Sequence, residues 1–225
     1  TNYYSIFLKR KKMIQQINYY YKLKDFLNSS LQSHQVLHIY LRNNKIGDEG
    51  ASGLSFALTN CPNLSNLTLD LESNFIGEIG ASGLGTALAS CTNLSNLTLQ
   101  FAYNFIGDEG ASGLSFALAN CTNLSNVTLY LESNQIGQKG TQVLGSAIAN
   151  CTNLTNFELF LSDNKIGDLG ASCLGYSLAN CTNLTNLRLD LRGNQIGDQG
   201  ISSLGSAIAN CTNLSNLAIF LSKNL

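Results

Sequence analysis

The chain has 225 residues, of which 44% are hydrophobic and 12% are charged, and its formal net charge is −1. A single proline in a chain of this length argues against a sandwich of many turns and against a disordered tail. No apolar run approaches the ~18–20 residues that span a bilayer, and residues 6–8 are too short for the apolar core of a secretory signal. We therefore expect no membrane span and a cytoplasmic protein.

The first 33 residues form a basic N-terminal flank that differs in composition from the rest. Residues 1–30 hold six Lys or Arg against Asp25, whereas residues 31–225 hold seven against thirteen acidic residues. Leucine or phenylalanine at positions 23, 26, 27 and 31 follows one helical stripe, which predicts a capping helix near residues 20–31. The basic run at residues 9–12 could contact phosphate or an acidic membrane surface, but a solvated flank or a cap is favoured.

Residues 34–225 repeat with a period of 30 residues. The period is marked by one asparagine column, which consists of Asn44, Asn74, Asn104, Asn134, Asn164, Asn194 and Asn224. The array has six full units and a truncated seventh. Because repeat arrays need terminal caps and the chain begins with Thr1, we expect it to belong to a longer protein.

Each unit joins a strand pattern to a helix pattern. Apolar residues alternate with polar ones around Leu67 and Leu69, which predicts a strand at residues 67–71 with one buried face. A second apolar stripe recurs at helical spacing and predicts helices near residues 48–60 and at their copies. The residue that follows the glycine of each unit, such as Asp48, is expected to cap its own helix.

These units resemble the leucine-rich-repeat family, whose signature is Leu-x-x-Leu-x-Leu-x-x-Asn-x-Leu. One unit reads Leu64-x-x-Leu67-x-Leu69-x-Leu71-x-x-Asn74-x-Ile76-Gly77. Its asparagine lies two residues later than in the signature, so the strand or its exit loop is longer than the usual form. The helical second half and the wording Ile-Gly-Asp-Glu-Gly-Ala are similar to the ribonuclease-inhibitor-like subtype.

The resemblance implies an α/β fold, a right-handed leucine-rich-repeat horseshoe with a parallel sheet on the concave face and helices on the convex face. Elementary geometry agrees with this shape. Strands of successive units pair ~4.8 Å apart, whereas packed helices need ~8–10 Å. The stack must therefore curve with its sheet inside.

The resemblance also implies a scaffold that binds a partner protein. Near-identical repeats of this wording are similar to repeat-expanded protist families, so one alternative is the sensing or targeting array of a larger signalling protein, such as one joined to a kinase. Some relatives of this subtype activate Ran-type GTPases with loop residues and an acidic tail; Arg42 and Arg192 lie near loops, but no acidic tail is present. No Ser/His/Asp set, phosphate loop or paired carboxylates stand out, so we expect no enzyme and no cofactor.

Two further columns are interpreted as structural. The asparagine column is expected to satisfy backbone groups of a buried loop. Cysteines recur once per unit without a second cysteine or a histidine nearby, so we expect buried, reduced and metal-free thiols in a reducing compartment. These are Cys61, Cys91, Cys121, Cys151, Cys181 and Cys211. The Asn-x-Ser/Thr sequons also fall on structural columns, which fits a cytoplasmic protein without glycans.

Strand positions between the leucines vary from unit to unit and are expected to point into solvent on the concave side. The helix positions presumed to be exposed are mostly serine. Aromatic residues and arginine anchor interfaces, so we predict a protein partner, and no nucleic acid, on this face; a scaffold not yet shaped for any partner stays as the alternative. The candidate partner-binding residues are Tyr40, Tyr130, Glu158, Phe160, Arg188, Asp190, Arg192 and Phe220.

Overall fold

A computed structural model describes residues 17–224 as a solenoid built on one parallel sheet. Eight strands in this range follow chain order, and each pairs in parallel with the next. They are β1 (Ile17–Tyr20), β2 (Val36–Tyr40), β3 (Asn66–Asp70), β4 (Asn96–Gln100), β5 (Asn126–Tyr130), β6 (Asn156–Phe160), β7 (Asn186–Asp190) and β8 (Asn216–Phe220). The predicted continuous parallel sheet is confirmed, although each repeat strand begins one residue earlier than predicted.

Helices alternate with the strands and form a second layer. They are α1 (Leu23–Leu27), α2 (Gly47–Thr59), α3 (Glu78–Leu88), α4 (Gly107–Asn120), α5 (Gln138–Ala149), α6 (Gly167–Ala179) and α7 (Asp198–Ile208). Strand residues such as Leu67 and Leu69 are buried in one core cluster with helix residues such as Leu84 and Leu88. The alternate strand residues lie on the opposite face, which is the concave face of the horseshoe.

The asparagine column forms a buried ladder between units. The Asn74 Nδ2 atom donates a hydrogen bond to the Leu41 carbonyl at 2.7 Å. Its Oδ1 atom accepts from the backbone N–H groups of Asn44 at 2.8 Å and Ile46 at 3.2 Å. Since buried backbone groups need partners, one amide per unit satisfies the long exit loop. The expected structural role of this column is confirmed.

Carboxylates connect neighbouring helices, and here the sequence prediction was wrong. Asp48 lies inside the first turn of α2 rather than before it, so its Oδ1 accepts the N–H groups of Gly77 at 2.7 Å and Gly80 at 3.0 Å, at the start of α3. Asp108 and Asp168 repeat these bonds to the next helix. A Cβ atom at Gly80 would lie 2.5 Å from the Asp48 carboxylate, so the close approach requires glycine. The caps therefore recur every two units.

The front of the array is closed by a strand and a short helix. Strand β1 pairs with β2 and extends the sheet by one strand that the sequence did not predict. Helix α1 lies within the span predicted for a capping helix, but it has only five residues and is followed by a 3-10 turn at Leu31–Ser33. Phe26 is fully buried there, whereas Leu27 is exposed. The basic run at residues 9–12 lies outside the described residues.

Candidate functional site

The concave face is a set of columns in which equivalent residues are directly adjacent. Strands pair with no offset between units, so Tyr130 is opposite Phe160, and Phe160 is opposite Asp190. The next pair in this column joins Asp190 to Phe220. Side chains at adjacent positions of paired strands are close enough to contact one another. Each column therefore behaves as a row of neighbours rather than as separate residues.

Five of the candidate residues form a continuous stack, here called the concave stack: Tyr130, Phe160, Arg188, Phe220 and Arg192. The rings of Tyr130 and Phe160 are parallel, with centroids 4.5 Å apart. The Arg188 guanidinium carbon lies 5.2 Å from the Phe160 centroid and 5.3 Å from the Phe220 centroid. The guanidinium carbon of Arg192 lies 5.9 Å from the Phe220 centroid. These distances are typical of cation–π contacts.

Phe160 is covered by its neighbours rather than exposed. Its side chain is 8% exposed because Tyr130 covers one ring face and Arg188 approaches the other. The expectation that this ring points freely into solvent was therefore wrong. Phe220 is 39% exposed and remains open at its end of the stack.

The two remaining charged candidates at this end have different surroundings. Asp190 is buried and accepts a hydrogen bond from Arg192 Nε at 2.8 Å, and a second guanidinium nitrogen of Arg192 contacts the other carboxylate oxygen. Glu158 lies beside Arg188 on the adjacent strand. Burial raises the pKa of the Tyr130 hydroxyl, and the charge of Glu158 raises that pKa further. Tyr130 thus stays protonated as a hydrogen-bond donor at neutral pH.

A groove adjoins the concave stack at the amino ends of β6, β7 and β8. Its volume is about 760 Å³, and Glu158, Arg188, Asn186 and Asn216 are among the residues that line it. Asparagine amides also form a ladder across this end of the sheet, in which Asn96 Nδ2 donates to Asn66 Oδ1 at 2.7 Å and the pattern continues along the array. The groove therefore offers charged and amide groups next to the rings.

Tyr40 lies away from the concave stack, in a second group at the front. This front aromatic cluster consists of Tyr19, Tyr21, His38 and Tyr40. The Tyr19 and His38 rings stack with centroids 4.9 Å apart, and Tyr21 stacks on Tyr40 at 5.6 Å. Tyr19 and Tyr21 were missed because they belong to the basic flank, although Tyr19-x-Tyr21 has the same spacing as His38-x-Tyr40.

Glu132 is a third residue that the sequence prediction missed. Desolvation raises the pKa of its carboxyl group to about 7, and the charges of Asp190 and Glu72 add to this shift, whereas its own backbone N–H and Arg192 oppose it. The sequence does carry a signal for it. Glu72 has a basic residue, Arg42, at the equivalent position of the adjacent unit. Glu132 has only the uncharged Ala102 and Ser162 at the equivalent positions of its two neighbours, so it lacks a basic residue beside it in the column.

The helix face carries exposed aromatic residues, contrary to the expectation of a serine-rich surface. Phe56, Phe116 and Tyr176 are 74%, 53% and 63% exposed. They share one column with Thr86, Ser146 and Ser206 and alternate with them. The large side chains that vary between units are therefore not confined to the concave face.

The thiols of the cysteine column are poorly suited to chemistry. Five of its six members are buried as predicted, and Cys211 is half-buried because the last helix is less covered. Burial raises the pKa of Cys61, Cys121 and Cys181 to about 12. Because the thiolate is the nucleophile and metal ligand, these groups are inert at neutral pH. Between residues 17 and 224 no cluster of His, Cys, Asp or Glu could hold a metal, and no helix is long and apolar enough to cross a membrane.

One known family matches parts of this sequence. A family model described as Leucine Rich repeat matches residues 32–55, 93–115, 150–175 and 181–205. The chain contains leucine-rich repeats at these four places. Leucine-rich-repeat proteins commonly serve as scaffolds for protein interactions.

The solved structure of internalin C2 from Listeria monocytogenes is similar in fold to this chain. The two are 24% identical with a TM-score of 0.52, and the match covers 90% of this chain and 66% of internalin C2. A TLR13–ssRNA13 complex matches with 17% identity and a TM-score of 0.39 over 90% of this chain and 31% of that one. No curated protein sequence matches the chain.

Proposed function

We propose that this leucine-rich-repeat array binds a partner protein through its concave face, with the concave stack as the anchor. The observation that supports the proposal most directly is the alternation of rings and guanidinium groups from Tyr130 to Arg192. Aromatic residues and arginine carry most of the binding energy in protein interfaces. The adjoining groove adds polar groups that could fix the orientation of the partner.

The proposal includes no enzymatic role and no cofactor. It also places the protein in the cytoplasm. Asn96 and Asn126 belong to sequons, and each donates its amide hydrogen to the preceding asparagine of the ladder. The Asn96 amide nitrogen also donates to Ser95 Oγ at 3.0 Å, so a glycan, which replaces one of its two hydrogens, would remove one of the two bonds. The amide ladder therefore fits a compartment in which sequons are not modified.

The test compares two variants that each introduce a residue found in sister units. Arg188→Thr restores the threonine of positions 68, 98 and 128 and removes the cation between two rings. Tyr176→Ser restores the serine of positions 146 and 206 and removes an exposed ring from the helix face. Both positions are exposed, so both variants should fold, which circular dichroism would verify.

Crosslinking and affinity capture from the cells that make the protein would then be compared for the two variants. We expect Arg188→Thr to lose the partner that the wild-type chain captures and Tyr176→Ser to retain it. Loss of capture in Tyr176→Ser alone would place the binding surface on the helices and contradict the proposal.

A further inference from the structure

Two carboxylates near the carboxyl ends of the strands have arginine partners, whereas Glu132 has none among the described residues. The Arg42 guanidinium contacts the Glu72 carboxylate at 2.7 Å. Arg192 is committed to Asp190. Glu132 belongs to the same column as Arg42, Glu72 and Arg192, but it has no such partner. Glu72 and Asp190 are thus ion-paired within the described part of the chain, whereas Glu132 is not.

One oxygen of the Glu132 carboxylate is buried without a partner in the part of the chain that the structure describes. This oxygen, Oε2, is inaccessible to solvent and has no hydrogen-bond donor among residues 17–224. A buried charged atom without a partner destabilises the native state unless a proton or a counter-ion satisfies it. The raised pKa of about 7 has this cause, since desolvation is its largest contribution.

A polar cavity of about 260 Å³ opens beside this carboxylate, between the loops that follow β4 to β8. Its lining consists of Tyr103, Glu132, Ser162, Asp163, Arg192 and Lys223. The titratable and charged groups that face Glu132 are Glu72, Tyr130, Asp190 and Arg192, together with Tyr103, Asp163 and Lys223 of the cavity.

We propose that this cavity receives a basic side chain of the partner protein, which pairs with the Glu132 carboxylate. The inference rests on the proposed function, because the partner carries the cation. With Glu132 ionised, Glu132, Asp163 and Asp190 give three negative charges against two positive charges of Arg192 and Lys223. One further cation makes the cavity neutral.

A basic side chain also fits the groups that surround the carboxylate. The terminal torsion of glutamate is broad, so the carboxylate can turn its unpartnered oxygen towards an entering donor. Ser162 and Asp163 offer further acceptors, and the exposed Tyr103 offers a ring face. Guanidinium and ammonium groups both donate several hydrogen bonds, so arginine and lysine share the required chemistry.

Binding of a cation at Glu132 must compete with binding of a proton. With a pKa near 7, the ionised fraction of Glu132 falls about tenfold from pH 8 to pH 6. The affinity for a cation that needs the carboxylate should fall by about the same factor. A cation that merely lies nearby would show no such dependence.

The experiment uses the full chain without its partner and follows the Glu132 carboxyl carbon by NMR in protein with ¹³C-labelled glutamate. Ethylguanidinium and butylammonium represent arginine and lysine, and neutral ethylurea controls for size. Glu132→Gln assigns the signal, and Glu49→Gln, at an exposed helix position, is the matched control. We expect either cation to lower the titration midpoint of Glu132, with about tenfold weaker binding at pH 6 than at pH 8. A larger effect of ethylguanidinium would indicate that the partner supplies arginine, and a larger effect of butylammonium would indicate lysine.

Two results would overturn the proposal. The midpoint could stay unchanged with both cations, or ethylurea could shift it equally. Because no partner is used, these outcomes are independent of the capture test with Arg188→Thr. If capture depends on Arg188 but Glu132 does not respond to the cations, the concave face would remain the proposed binding surface. The cavity would then not be part of it.

Discussion

At the front of the concave face the rings of Tyr19, His38 and Tyr40 stack on one another, whereas at the back a guanidinium group separates Phe160 from Phe220. The strands pair in parallel without a break at both ends. The front differs in its side chains and in its first strand, because Tyr19 belongs to β1, which lies outside the 30-residue repeat. A repeat backbone can hold an aromatic surface at one end and a charged one at the other.

The two ends should also respond to pH in opposite directions. Burial lowers the pKa of His38 below 6.5, so the unfolded chain binds more protons and stability falls as the pH drops through that range. Burial raises the pKa of Glu132 from 4.5 to about 7, so stability falls as the pH rises between these values. In the wild-type chain the two effects partly cancel at weakly acidic pH.

The largest effect is expected from breaking the concave stack at its covered ring. Phe160→Ala removes a ring that is 8% exposed and should lower the free energy of unfolding by about 3 kcal/mol. Tyr21→Ala, the equivalent change in the front aromatic cluster, removes a ring that is 65% exposed and should lower it by less than about 1 kcal/mol. Urea unfolding followed by circular dichroism would measure both. Equal losses would show that the two ends are packed alike.

A smaller effect with the opposite sign is expected at Glu132. Glu132→Gln removes a carboxylate whose ionised form is destabilised by burial. At pH 8 the variant should therefore be more stable than the wild type, by roughly 2 kcal/mol. The gain should shrink towards zero as the pH approaches 4.5, where the unfolded chain also begins to hold the proton.

Urea unfolding at several pH values would measure this gain, with Glu49→Gln as the exposed control. A variant that is equally stabilised at pH 5 and pH 8 would contradict the raised pKa.

The smallest effect is expected at the front, from His38→Thr, which introduces the threonine of the next three units. This change removes one of two histidines whose pKa is lowered by burial, and His34 remains. The loss of stability between pH 6.5 and pH 5 should become shallower, because fewer protons bind on unfolding. Thermal melts over this range would test it. An unchanged slope would assign the acid response to His34.

The sequence predicted the repeat strands because alternating leucines define both their spacing and their buried face. It did not predict β1, since Ile17–Tyr20 lacks those leucines and its place in the sheet depends on pairing with β2. Burial of Phe160 could not be predicted from its own strand either, because the groups that cover it belong to the two adjacent strands. The period-two pattern predicts on which face of the sheet a side chain lies, but contacts with the adjacent strands decide how exposed that side chain is.

The helix-face aromatics were missed for a different reason. The column of Ser52 was taken as the exposed one, whereas Phe56, one turn further along α2, points into solvent as well. A helix has a wide exposed face, so one column does not represent it. The Arg188→Thr and Tyr176→Ser variants are therefore needed together, because they compare the contributions of the concave face and the helix face to partner capture.

Gain or loss of repeat units during evolution must preserve the carboxylate contacts that join neighbouring helices. Asp48, Asp108 and Asp168 each secure the helix that follows, and the intervening units carry no equivalent bond among the described residues. Loss of residues 78–137 would leave Asp48 opposite glycines equivalent to its own, and so would loss of residues 78–107, after which Gly110 would take the place of Gly80. A single unit is therefore the smallest block that can be lost with these glycines kept in place, and we expect viable length variants of this chain to differ by multiples of about 30 residues.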